Sequence, residues 1–129
     1  MMKRNGISFL ELVAAGAVLV VMLATSLQLL GVIASNRRAI CRRQTAVRAA
    51  ANLMERVSAR PLDRLDTESL SRMRLSEDVA RELPEAELEM AVDETSDEPK
   101  GKRISISLRW KDNKGQFVAP VKLVAWRYR

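Results

Sequence analysis

Histidine is absent from this chain and cysteine occurs once, as Cys41. Without histidine the commonest general base is missing. With one thiol, no intramolecular disulfide forms and a Cys/His zinc site is excluded by count. Aromatic residues make up only 4% of the chain, too few for the stacking platforms that hold single-stranded nucleic acids. There is no glycine-rich loop to cradle a phosphate, no internal repeat and no low-complexity tract. These absences argue against an enzyme. No cofactor, metal or small-molecule substrate is expected.

Charge of both signs is plentiful, with 22 Lys plus Arg against 16 Asp plus Glu and a net charge of +6. It is arranged in blocks: residues 37–60 are almost purely basic, 63–98 are acidic on balance, and 100–129 are basic again. The blocks largely cancel, so the excess is not one coherent basic face, and a nucleic-acid partner is not expected.

The 129 residues suffice for one small domain, and part of that length is claimed near the N-terminus. From Leu12 to Ala34 no residue is charged, and a run of about 23 residues crosses a bilayer as a helix. Thr25, Ser26 and Gln28 are its only polar residues. A helix apolar on every side is either a membrane span or a deeply buried core element. The residues that follow are too few to bury it, so the lipid bilayer is its expected surroundings. The helix is expected to continue to about Arg60, where Pro61 biases the preceding residue away from helical geometry. Ile40, Val47 and Met54 recur every seven residues, with Ala50 and Val57 filling in at three. Together they suggest a narrow apolar seam flanked by Arg37, Arg38, Arg42, Arg43, Arg48 and Arg56.

A polar connector is expected from Pro61 to about Glu87, with a short helix around Leu70, Met73 and Leu75. Leu88, Met90 and Val92 alternate with polar neighbours as a strand does. Residues 93–101 suggest an acidic loop broken by Pro99 and Gly101. Ile104, Ile106, Leu108 and Trp110 alternate cleanly with polar residues from Arg103 to Lys111, the best strand of the chain. Asp112-Asn113-Lys114-Gly115 predicts a turn. A last strand runs from Phe117 to Tyr128, interrupted early by Pro120. The predicted fold is α+β: a long N-terminal helix, its first half transmembrane, packed through the seam Ile40, Val47, Met54 and Val57 on a small antiparallel sheet. On that expectation Val47→Asp destabilises the protein.

One short stretch carries a functional signal. Met1-Met2-Lys3-Arg4-Asn5-Gly6 is short and basic, Ile7-Ser8-Phe9-Leu10-Glu11 follows, and then the uncharged run begins. This resembles the type IV prepilin processing site: a basic leader ending in Gly, an apolar first mature residue, Ser or Thr, two apolar residues, and Glu at the fifth mature position. Gly6 matches the last leader residue, Ile7 the new N-terminus and Glu11 the fifth-position acid. Beyond residue 34 the resemblance rests on architecture alone. It is closest to minor pseudopilins of type II secretion systems and minor pilins, since the apolar helix lacks the proline common in major pilins. It implies cleavage after Gly6 by a prepilin peptidase, methylation of the amine of Ile7, and assembly into a filament with other pilins or pseudopilins on an inner-membrane platform. The organisation implied is a leader at 1–6, a transmembrane helix at 7–34, its amphipathic continuation at 35–60 and a small α+β part at 61–129, pilin-like in fold. The chain would be a single-pass protein of the cytoplasmic membrane with its C-terminal domain on the periplasmic side.

Glu11 is the sharpest residue of the motif. A carboxylate deep in a span costs up to about 2.5–3.5 kcal/mol, so intramembrane acids are functional by default and have a partner. The resemblance supplies one, the free amine of a neighbouring subunit, and Glu11 is expected to be dispensable for cleavage but needed for assembly. Basic residues flank both ends of the run, Lys3 and Arg4 before it and Arg37, Arg38, Arg42 and Arg43 after it. Charge count alone would place the C-terminal part inside, and the motif overrides it. Ordinary secretory cleavage before Ser35 would need a shorter apolar region. Lipidation at Cys41 lacks the preceding motif, and the acids at 93–98 lack the spacing of a calcium loop. A single-pass scaffold binding a partner through its Arg-rich helix, or a subunit of a DNA-uptake or adhesion pilus, are the alternative functions.

Overall fold

The computed structural model describes Gly6 and Ser8 through Tyr128. It divides into two units, residues 1–38 and 39–129, and a single 50-residue helix, α1 (Phe9–Ser58), contributes to both.

In the first unit every described residue of α1 is exposed, large aliphatic side chains included. The segment is long and apolar enough to cross a membrane. Its hydroxyls turn inward: Thr25 donates to the Val21 and Met22 carbonyls and Ser26 to Met22, at 2.8–3.0 Å. This is how a hydroxyl meets its hydrogen-bonding need without water.

The second unit is α+β. Behind the last part of α1 come a single 3-10 turn (Leu62–Arg64), two short helices, α2 (Thr67–Ser71) and α3 (Glu77–Glu82), and three strands, β1 (Glu87–Glu94), β2 (Gly101–Arg109) and β3 (Val121–Tyr128). The strands form one antiparallel sheet in sequence order. The central strand, β2, supplies the core, with Ile104, Ile106 and Leu108 at most 1% exposed and Trp110 just beyond its end at 3%. Each such aliphatic burial is worth about 1.5–3 kcal/mol. Among the described residues no polar or charged side chain is buried.

The helix face that covers these strand residues overlaps the expected seam at Ala50 and Val57, both fully buried, and departs from it at Ile40 and Val47. Ala46, Ala49, Ala50, Leu53 and Val57 are buried, a spacing of three, four, seven and eleven that marks one helix face. Ile40 and Val47 are 58% and 43% exposed and Met54 is only half-buried. The seven-residue seam lies one residue's step, about 100°, round the helix from the buried stripe. The reason is volume. Ile106, Leu108 and Trp110 project from the sheet, and alanines opposite them let the helix approach until the space is filled. The expectation that Val47→Asp strikes the core is therefore overturned.

The connector also departs from expectation. Leu65, Leu70 and Leu83 are fully buried, so residues 61–87 roof the core rather than merely bridge it. Leu65 and Leu70 join Val57 and Ile104, and Leu83 joins the larger cluster around Leu108. A short helix does include Leu70, but Met73 and Leu75 fall outside it, and α3 is an element the apolar pattern did not suggest. Asp66 starts α2 by accepting from the Ser69 N–H at 2.8 Å. The hydroxyl and N–H of Ser69 hold the Asp66 carboxyl below its usual pKa of 3.8. The predicted loop 93–101 is shorter than expected. Asp93 pairs with Arg103 and Glu94 with Lys102 across the strands, which extends both strands and leaves Thr95–Lys100 as the connection.

Two basic side chains close the far end of this unit. Arg127 donates to the Arg60 carbonyl at 2.6 Å, just past the end of α1, and Lys102 to the Leu65 carbonyl at 2.8 Å. Both satisfy backbone oxygens that have no helical partner. At the opposite end the predicted turn is present. The Asp112 carboxylate accepts from the N–H groups of Lys114 and Gln116, and Gly115 takes φ +77, a left-handed conformation that favours glycine. Arg42 donates to the Asn113 side chain at 3.0 Å and Arg43 to the Ala119 carbonyl at 3.3 Å, which ties this turn to α1.

Candidate functional site

The candidate site is the start of α1. Gly6 is exposed, and a Cβ added to it meets nothing within 4 Å. Nothing in the packing of this chain requires glycine there. Ile7, the expected new N-terminus and methylation site, lies outside the described residues. Ser8 is the residue before the first helical position, Phe9.

Glu11 is bound to its own helix. The Ser8 N–H donates to Glu11 Oε2 at 3.2 Å, and the Leu10 N–H donates to Ser8 Oγ at 3.3 Å. This reciprocal arrangement is a capping box, in which a serine and a glutamate three residues on satisfy backbone donors that the first turn leaves open. A carboxylate in the first turn also meets the positive end of the helix dipole, worth about 0.3–1 kcal/mol when exposed. The signal was present in the sequence as Ser8-Phe9-Leu10-Glu11 ahead of an apolar run, and the reading of Glu11 as an assembly residue passed over it. Oε1 of Glu11 has no hydrogen-bond partner among the described residues. The carboxylate thus caps its own helix through one oxygen and presents the other.

No family model, no curated protein and no solved structure matches the chain. What the site can do therefore rests on its own geometry and chemistry.

Two further features were tested as alternative sites. A cavity of about 420 Å³ at the far end of the sheet is lined by Leu62, Asp63, Glu94, Lys100 and Lys102 among others. It holds basic and acidic groups side by side, and among the described residues no cluster of His, Cys, Asp or Glu is arranged to hold a metal ion. A trough of about 380 Å³ crosses the outer sheet face over Ser105 and Ser107. Neither contains a nucleophile paired with a base. Cys41 is exposed on α1. Within the apolar segment, Gln28 is the one polar side chain with no hydrogen-bond partner among the described residues, in contrast to Thr25 and Ser26.

Proposed function

We propose that this chain is a type IV prepilin-like filament subunit, of the minor pseudopilin or minor pilin kind. In this reading it is cut after Gly6, methylated at Ile7 and held in the cytoplasmic membrane by the first part of α1, with residues 39–129 on the periplasmic side. The observation that carries the reading is a glutamate, with one oxygen unpartnered among the described residues, in the first turn of a helix whose apolar first part is exposed throughout, a few residues after the Gly6-Ile7 junction. A glycine that its own chain does not require supports recognition by a partner, here a prepilin peptidase whose cleft admits only a small residue before the cut.

The mechanism follows from the span's surroundings. Lipid tails are as apolar as leucine, so apolar contact fixes the axial register of two spans poorly. The free oxygen of Glu11 meeting the new ammonium on Ile7 of a neighbouring subunit pairs two charges at one axial offset only. Gln28 offers a second polar contact lower in the span, since side-chain amides hydrogen-bond across helices in membranes. The partners in this reading are other pilins or pseudopilins, the peptidase, the assembly platform and the bilayer.

Mass spectrometry of the membrane-extracted protein is the direct test. The expected mature chain begins at Ile7 with a free or methylated amine. An intact leader, or a chain beginning at Ser35, rules the proposal out. The capping box separates the two roles of Glu11. Glu11→Gln keeps an oxygen for the Ser8 N–H and removes the charge, whereas Glu11→Ala removes both. Both variants are expected to be processed, and both to lose crosslinking to partner prepilins. Should Glu11→Gln crosslink like the wild type while Glu11→Ala does not, Glu11 acts through the cap and the charge pair is wrong.

A further inference from the structure

We infer that the end of unit 39–129 bearing Arg42, Arg43 and Lys114 docks on anionic lipid headgroups, an inference that rests on the membrane reading of residues 12–34. The patch lies wholly within the second unit. The turn 112–115 and the approach to β3 are tied to α1 by the Arg42–Asn113 and Arg43–Ala119 bonds. These bonds gather two guanidinium groups and the exposed Lys114 ammonium at one end, with the exposed Ile40 (58%) two residues before Arg42 on α1; the Phe117 ring, 42% exposed, lies against Arg109 and Lys111.

Three cations, Arg42, Arg43 and Lys114, stand against two acids that keep their charge, Glu82 and Asp112, which bond only neutral donors, so this end is net positive. Its acids are engaged: Glu85 with Lys111, Glu87 with Arg109, Glu82 with the Thr45 hydroxyl at 2.7 Å, and Asp112 with two backbone N–H groups of its own turn. Arg42, Arg43 and Lys114 have no acidic partner among the described residues. The far end of the same unit is mixed in charge, with Glu94, Asp97 and Glu98 beside Lys100, Lys102 and Arg127 around the β1–β2 connection.

Chain length decides what this end can reach. Ile40 follows Ala34, the last residue of the uncharged run, by six positions, and six residues span at most about 20 Å even when fully extended. Ile40 therefore stays within that distance of the end of the run. Arg37 and Arg38 lie in that link, just after the uncharged run. Basic groups beside a span attract anionic headgroups, and exposed apolar residues among them enter the headgroup–acyl boundary. The surface therefore fits a lipid bearing a phosphodiester and net negative charge.

The test uses the full-length chain carrying Cys41→Ser, reconstituted in vesicles of phosphatidylcholine alone or mixed in equal parts with phosphatidylglycerol. A polarity-sensitive fluorophore is placed through Gln116→Cys beside the patch, or through Ser96→Cys at the far end. The expected result is a blue shift at residue 116 in the anionic vesicles only, reversed by salt because charge attraction is screened, with no shift at residue 96. Arg43→Gln and Lys114→Gln, singly and together, should progressively remove the shift. Lys114→Gln leaves its turn intact, because the backbone N–H of residue 114 and not its side chain bonds Asp112. Identical emission at residue 116 in both vesicle types, with the protein resisting alkaline extraction from both, overturns the docking and leaves the membrane reading standing. Release of the protein by alkali from both vesicle types overturns the membrane reading and the docking together.

Discussion

The two parts of α1 invert the usual relation between hydrophobicity and burial. Up to Arg38 it carries valines, leucines and a phenylalanine, none of them buried; from Ala39 its most buried positions are Ala46, Ala50 and Val57, all at 0% exposure, two of them alanines. Burial here follows from what stands opposite. The second part meets the large side chains of a sheet, so alanines pack there beside Leu53 and Val57. The first part meets nothing in its own chain, and in water its exposed area would carry a cost of roughly 25 cal/mol per Å². Such a surface calls for a different solvent or for other copies.

Substitutions on the second part of the helix probe that contrast most sharply. Ala50→Asp places an unpaired carboxylate where no water reaches, and is expected to cost of order 4 kcal/mol, at the upper end for single changes. Val47→Asp, one residue's step round the helix, falls on a half-exposed surface and is expected to stay within about 0.5 kcal/mol. Melting of the full-length protein in detergent, followed by the near-ultraviolet signal of buried Trp110, measures both. Equal losses for the two would mean that the alanine stripe is not the packed face.

A middling effect is expected at the far end of the sheet. A Cβ at Gly101 would lie 2.7 Å from the Arg127 carbonyl oxygen and 2.7 Å from Tyr128 Cδ1. Because one of these is backbone, the β2–β3 pair must shift, and Gly101→Ala should cost about 1–3 kcal/mol. At Gly16 and Gly31 in the apolar segment nothing lies within 4 Å of an added Cβ. Alanine at either should leave the same melting curve unchanged, so a drop there would show that the apolar segment is packed after all.

The smallest expected effect is a pH dependence from Asp66. Its folded pKa is lowered by the Ser69 hydrogen bonds. A group depressed on folding stabilises the folded state above its unfolded pKa, near 3.8, and loses that contribution as pH falls through the lower folded value. Asp66→Asn should flatten only this acid limb of the stability profile, with the apolar segment unaffected. An unchanged acid limb would mean that the α2 cap contributes nothing measurable.

How much of this was legible in advance differs from element to element. Period-two alternation in Ile104, Ile106 and Leu108 identified the central strand and its buried face, because a strand's side chains alternate whatever surrounds it. The turn at Asp112–Gly115 was equally plain, since its residues bond to their own backbone. The uncharged run and the Ser8–Glu11 box are likewise local properties, and the second was legible though passed over.

Composition and spacing within a few residues thus determined the long helix, the strands, their turn and the Ser8–Glu11 box. Which face of α1 turns inward was decided only in three dimensions. Alanine carries too weak an apolar signal to reveal itself as core, and its value lies in letting the helix approach Ile106, Leu108 and Trp110. The same holds for Leu65 and Leu83, lone leucines in a polar stretch, which are buried because the edges of the sheet and the end of the helix leave room for them. The gathering of Arg42, Arg43 and Lys114 also belongs to the tertiary structure, since it takes hydrogen bonds between residues more than seventy positions apart to bring them to one end.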